Sequence, residues 1–237
     1  MEGCTIKGFA IPRSRFFALV GMAFVVCGLV SCIGISSGLT IRRDGSGRIE
    51  LEYRISRELE SLGKLEGNEG WPTIPVGRTD FERAAARIPG LTLHSYSSKI
   101  SGDDMITQAS LDFTNTDALL HWLDANGQRA ELAREGGQNR LYLLIAEGRE
   151  NSDSAATTNL DATTNLVAES FETYAWEMRF NLGNSTELTV ADENRRDIGA
   201  IPPGWTLTGG SRALFSAPMG DLLLQDQTLW LVVRWNP

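Results

Sequence analysis

Leu29-Val30-Ser31-Cys32 is the tetrapeptide whose residue types and spacing most directly specify chemistry. It closes an apolar run, Phe16 to Val30, that follows the basic residues Lys7, Arg13 and Arg15. A basic flank, an apolar stretch of this length and a small residue before a cysteine form the pattern of an export signal that is cut and lipidated. On this reading the chain is cleaved between Ser31 and Cys32, and Cys32 takes lipid and becomes the mature N-terminus. The same segment admits a second reading. Phe16 to Ile35 is 20 residues without a charge, long enough to cross a bilayer as an uncleaved anchor. Gly21, Gly28, Ser31, Gly34, Ser36 and Ser37 dilute its outer end. Both readings leave the basic flank inside and export the rest.

Other residues with chemical potential carry weaker patterns. His94 and His121 are the only histidines, and neither has the partner four residues away that a zincin helix needs. Asp103-Asp104 lacks the alternating ligands of a calcium loop. Ser46 follows Asp44-Gly45, but no strand–turn–helix elbow surrounds it. The Gly-rich turn also lacks the Lys-Ser/Thr ending of a phosphate-binding loop. No catalytic residue, metal or cofactor is expected, although spatially paired carboxylates escape sequence reading. Trp71 and Trp205, in Pro/Gly-rich stretches, are the aromatic residues best placed to touch a ligand. Trp122 and Trp176 fall on apolar faces and read as core. Trp230 and Trp235 are five positions apart on the last strand and so point to opposite faces.

Composition narrows the classes. Loss of residues 1–31 removes three basic residues and one acidic one, leaving 19 basic and 29 acidic residues and a net charge of −10. That sign disfavours nucleic acid and anionic headgroups as nonspecific partners. Cys4 and Cys27 leave with the signal and Cys32 is consumed by lipid, so no thiol remains for a disulfide, a nucleophile or a zinc site. The 206 exported residues must fold on apolar burial alone, as one domain or two.

The elements around these residues follow from periodicity. A tether, Ile33 to Gly38, leads to Leu39-Thr40-Ile41. The turn Asp44-Gly45-Ser46-Gly47 then enters a strand with Ile49, Leu51, Tyr53 and Ile55 on one face, which predicts a hairpin. Residues 56–63 suit a short helix. Thr79 with Glu82 reads as a capping box for a helix burying Phe81, Ala84, Ala85 and Ile88, stopped by Pro89-Gly90. Strands at Leu91–Ser97 and Met105–Phe113 follow, the second placing Thr107, Ala109, Leu111 and Phe113 on one face. Thr116 is expected to cap a helix with Leu119, Trp122 and Leu123 on one stripe. Arg129–Arg134 and Arg140–Ile145 form another hairpin. Residues 148–168, with Ala156-Thr-Thr-Asn-Leu160 recurring at Ala162–Leu166, read as a linker. Beyond it, Tyr174, Trp176, Met178, Phe180 and Leu182 alternate in a strand, and Glu187–Val190 and Leu229–Trp235 complete a β-rich end. The expected organisation is a signal at 1–31, an α+β region at 32–147, the linker, and a C-terminal part at 169–237. The fold class is α+β: an antiparallel sheet with two or three short helices on one face. The last strand ends at Asn236-Pro237 without an apolar helix, leaving Cys32 as the evident anchor.

Taken in order, the Cys32 motif, Asp44-Gly45-Ser46-Gly47, the strand Arg48–Ile55, the run Pro89–Trp122 with Leu111-Asp112-Phe113, and the helix at Thr116 resemble LppM-type bacterial lipoprotein domains over residues 32–145. The chain departs from that pattern in its Thr-Thr-Asn-Leu insertion and in lacking the C-terminal membrane helix of many relatives. Its acidic, cysteine-free exported part also resembles spirochaete envelope lipoproteins. The resemblance to bacterial lipoproteins implies a diacylglyceryl thioether on Cys32, a membrane attachment through it, and a periplasmic or surface location. It further implies a partly barrel-like lipid-binding scaffold without known catalysis. No binding residue carries over, because no ligand motif matches. The expected partner is an apolar or amphipathic ligand, or a protein; a structural or host-facing role and an envelope hydrolase are the alternatives.

Overall fold

The computed structural model describes residues 34–56, 77–102, 104–148, 174–183 and 185–237. Ser31, Cys32, Trp71, Asp103, the helix expected beyond Ser56 and almost all of the linker lie outside the described residues.

The strands are β1 (Gly34–Ile41), β2 (Gly47–Ser56), β3 (Leu91–Ser101), β4 (Asp104–Phe113), β5 (Ala130–Glu135), β6 (Gln138–Ala146), β7 (Ala175–Asn181), β8 (Glu187–Ala191), β9 (Thr206–Thr208), β10 (Ala213–Pro218) and β11 (Leu229–Trp235). The helices are α1 (Arg78–Arg87), α2 (Thr116–Ala125) and α3 (Met219–Leu223). They make an α+β fold with two sheets, ordered β3-β4-β2-β1-β7-β10-β9 and β5-β6-β11-β8. Among the described residues the pairings are antiparallel except β1 with β7, which runs parallel from Gly34↔Ala175 to Thr40↔Asn181. C-terminal strands enter both sheets, since β7 joins β1 and β11 joins β6.

The tether expected at Ile33–Gly38 is instead strand from Gly34 onward. Gly34, Ser36, Ser37 and Gly38 have little strand propensity, but this segment pairs on both sides, with β2 and β7. Two ladders override local preference.

Alternation elsewhere follows the sequence. Thr107, Ala109, Leu111 and Phe113 are buried on one face of β4, as are Met178, Phe180 and Leu182 after β7 begins. The space between sheets and helices is filled by Phe81, Phe113, Phe180, Phe215, Leu111 and Leu231, among others, each at 2% exposure or less. Buried aromatics of this kind supply most of the burial energy of a core lacking cross-links.

Both helix starts fall one residue or more earlier than expected. The α1 N-cap is Gly77, not Thr79, because Asp80 reaches back and its Oδ2 accepts the Gly77 N–H at 3.1 Å. The α2 N-cap is Asn115, not Thr116; its Oδ1 accepts the Ala118 N–H at 2.9 Å. Replacing Asn115 with alanine is expected to lower stability by about 1 kcal/mol. Urea unfolding of Asn115→Ala beside Thr116→Ala checks this; a larger loss for the threonine variant would reverse the assignment.

Candidate functional site

The outer face of the seven-stranded sheet is polar throughout its centre. In register across β3, β4, β2, β1 and β7 stand Ser95, Ser110, Glu50, Gly38 and Arg179. The next row holds Ser97, Gln108, Glu52, Ser36 and Glu177. Small residues at the centre and long ones beside them leave a groove of about 430 Å³. Its side chains are cross-linked to one another. Gln108 Nε2 donates to Glu52 Oε2 at 2.7 Å, Arg179 donates to Ser36 Oγ at 2.9 Å, and Ser95 donates to Ser110 Oγ at 3.2 Å. A Cβ added at Gly38 would meet Glu50 Oε2 at 3.2 Å, so the Glu50 carboxylate lies across the glycine. This surface offers carboxylates, an amide, hydroxyls and a guanidinium on rigid strands. Those groups suit hydrogen bonding to a polar partner.

A second, shallower groove of about 360 Å³ runs between α1 and β3. Arg78, Glu82 and Ala85 form one of its walls, and the consecutive residues Leu91 to Ser95 form the other. β3 is an end strand of its sheet, so its outer main-chain groups border that groove.

His94 sits at the end of this surface. Its Nδ1 lies 3.1 Å from Asp112 Oδ2, and Arg48 donates to the same carboxylate from Nε at 2.7 Å and from NH2 at 3.2 Å. The hydrogen bond from Arg48 holds the Asp112 carboxyl below its usual range. A depressed carboxylate contributes stability that is complete above its unfolded value, about 3.9. That contribution is lost as pH falls through the lower folded value. Asp112→Asn should therefore lower the urea midpoint at pH 7, and the gap should narrow as pH falls below about 3.9 and close once it passes the lower folded value. A gap as wide at about pH 3 as at pH 7 would show that the substitution acts through packing.

The remaining sequence candidates separate. His121 is exposed on α2, whereas His94 is on β3. Ser46 donates to Asp44 Oδ1 at 2.7 Å and accepts from Arg42 at 3.1 Å, which closes the turn. The hydrogen bond from Ser46 in turn holds the Asp44 carboxyl low. Trp205, expected in an open loop, is 6% exposed and packs edge-on against Phe215 at 5.8 Å. Pro202-Pro203-Gly204 turns the chain so that the ring enters the core. Trp122 is core, and Trp176 packs edge-on to Phe215 at 6.2 Å. Trp235 joins the main core while Trp230 faces the other side of its sheet, as an odd step requires. There the Arg195 guanidinium lies 3.5 Å from the Trp230 ring centre and 4.6 Å from that of Tyr142. Arg195 has φ +63° and donates to Glu131 at 2.8 Å. Among the described residues, no three His, Cys, Asp or Glu side chains gather at metal-binding distance.

Sequence reading missed both grooves. The Arg48-x-Glu50-x-Glu52 alternation marks one face of β2 as polar, which reads as a solvated surface. Nothing local reveals that Gly38 and Ser36 lie beside it, because that depends on pairings across distant strands. The Arg195 cover is likewise invisible, since only the fold brings residue 195 over residues 142 and 230.

No family model matches this chain. No curated protein matches it either. Among solved structures it is similar to the folded domain of the Mycobacterium tuberculosis LppM protein, determined by NMR. The TM-score is 0.44 with 11% identity, over 86% of this chain and 90% of that one. A likeness at that level carries no argument about function. Among the described residues no helix is long and apolar enough to cross a membrane.

Proposed function

We propose that this chain is an exported envelope lipoprotein, anchored through lipid on Cys32, whose domain is a noncatalytic binding module for a protein partner. The observation that supports the binding reading is the filled interior. The side chains that would line a pocket for a swallowed apolar ligand, Phe81, Phe180 and Phe215, belong to one core cluster and are each at 1% exposure or less. The grooves are on the surface instead, and their linings are polar or mixed. The noncatalytic reading is supported by the side chains that could serve as nucleophile or base. Ser46 bonds Asp44 and Arg42 while His94 meets Asp112, so among the described residues no hydrogen bond joins that hydroxyl to an imidazole base. The anchor reading rests on the Leu29–Cys32 pattern and its basic and apolar flanks.

The test has two readouts, one on the full exported chain and one on its soluble fragment. Intact mass of the chain exported by a bacterial host should show residues 1–31 removed and lipid added, and Cys32→Ser should abolish both. An unprocessed mass would overturn the anchor in favour of the uncleaved helix. Native mass spectrometry of the fragment Ile33–Pro237, without delipidation, should give the bare chain. A discrete bound amphiphile would restore the lipid-pocket reading.

A further inference from the structure

The large apolar side chains that remain exposed among the described residues are Ile100, Ile201, Leu223 and Leu224, at 69%, 40%, 41% and 41%. Exposed apolar residues scattered singly mean nothing. These four are not scattered. Strand directions in the seven-stranded sheet place Gly34 of β1 beside Ala175 of β7, and Ala175 beside Pro218 of β10. On the other side, Ile35 pairs with Tyr53 and Ile55 with Met105, which pairs with Ile100. The start of β1, the end of β3 and the end of β10 therefore share one end of the sheet. α3 follows Pro218 directly, and the exposed Leu223 and Leu224 stand at its C-terminal end, within about two turns of Pro218. β9 begins at that end too, since Thr206 pairs with Ser216. Ile201 stands in the loop entering it. A Cβ added at Gly204 of that loop would lie 3.8 Å from Pro218.

The chain enters the domain at this same end. One residue, Ile33, separates Cys32 from Gly34, which a fully extended chain spans in about 7 Å. Counted in strand spacings of about 4.8 Å, Ile100 stands about 14 Å to one side of β1 and α3 about 10 Å to the other.

We infer that this end of the seven-stranded sheet is a membrane-contacting rim, with Ile100 on one side of the anchor and Ile201, Leu223 and Leu224 on the other entering the bilayer interface. The inference rests on the anchoring of Cys32 proposed above. A bilayer is the occupant that fits, because the side chains are strung along an edge on both sides of the anchor, with no shared concavity to hold a ligand. The anchor length leaves no room for this end to stand away from the lipid. Apolar insertion also suits a chain whose net charge of −10 after cleavage gives no attraction to anionic headgroups.

The test uses the full chain, exported and lipidated in a bacterial host. Ile100→Cys, Leu224→Cys and Asp44→Cys variants are labelled with bimane, the introduced cysteine being the only free thiol. Asp44 lies in the β1–β2 turn at the opposite end of the sheet. The proteins are reconstituted in vesicles of phosphatidylethanolamine and phosphatidylglycerol, with and without brominated acyl chains. Probes at 100 and 224 should lose emission to the brominated lipid while the probe at 44 keeps its own. Equal emission at all three positions on a chain whose mass shows lipid would overturn the rim alone. So would emission at 100 and 224 that changes with protein concentration and not with bromination, the signature of a second copy. An unlipidated mass would overturn the anchor reading, and the rim with it.

Discussion

Phe81→Ala is expected to lower the unfolding free energy by about 3–5 kcal/mol, the usual cost of deleting a buried aromatic ring. Phe81 has no solvent exposure. Its ring centre lies 6.5 Å from Tyr53, 5.9 Å from Tyr96 and 6.2 Å from Trp122. These are aromatic-pair separations that add to area burial. Through them α1 is fixed to β2, β3 and α2 at once, so the cavity would open where four elements meet. In a domain of this size the loss corresponds to roughly 10 °C of Tm. Arg83→Ala, on the exposed side of the same helix, should cost under about 0.5 kcal/mol. Urea unfolding with unchanged m-value is the measurement. A Phe81→Ala loss below about 1 kcal/mol would mean that α1 is not what closes this part of the core.

The second large effect is expected at a glycine whose backbone angles are ordinary. A Cβ at Gly47 would stand 2.0 Å from the Thr40 carbonyl oxygen and 2.4 Å from Phe113 Cζ. One of those neighbours is backbone of the paired strand and the other is a buried ring. Neither can give way without separating β2 from β1 or repacking the core. Gly47→Ala should reach or exceed the upper end of the overpacking range, about 1–3 kcal/mol. Gly45, two residues earlier, has φ +82° but only Thr116 Cγ2 at 4.0 Å near it. Its alanine variant should cost about 1–2 kcal/mol, the strain of a left-handed residue alone. Thermal unfolding of both variants gives the order; a costlier Gly45→Ala would show that the hairpin relaxes around position 47.

The contrast between those glycines marks where sequence reading stops. Asp44-Gly45-Ser46 announces a turn because a positive φ and an Asp side chain accepting the Ser46 N–H are local matters. The need for glycine at 47 is set by Phe113, 66 residues away. The same division runs through the fold. The alternation of β2, β4 and β7 and the stripe of α1 were legible because one face of each is buried. β1 was not, because its Gly/Ser-rich start belongs to a strand only by virtue of two neighbours. The candidate surface divides likewise. The polar residues of β2 are visible in the sequence, while the groove they border is made by β1, β4 and β7. Trp205 shows the converse error, since a loop composition concealed a ring that turns inward.

The parallel pairing of β1 with β7 also fixes when this domain can form during its delivery. On the proposed export route the part beyond the signal is threaded out from its β1 end. β1 then emerges with one neighbour, β2, and keeps an open edge through the next 133 residues, until Ala175 follows. Long-range pairings of this kind close late, and an open inner strand is exposed to mispairing while it waits. A chain halted before β7 would therefore hold a half-built sheet beside the membrane, with Leu39 lacking its partner Phe180. On that route the domain would complete only once β7 has followed β1, which would make the last third of the sequence the trigger for folding the first.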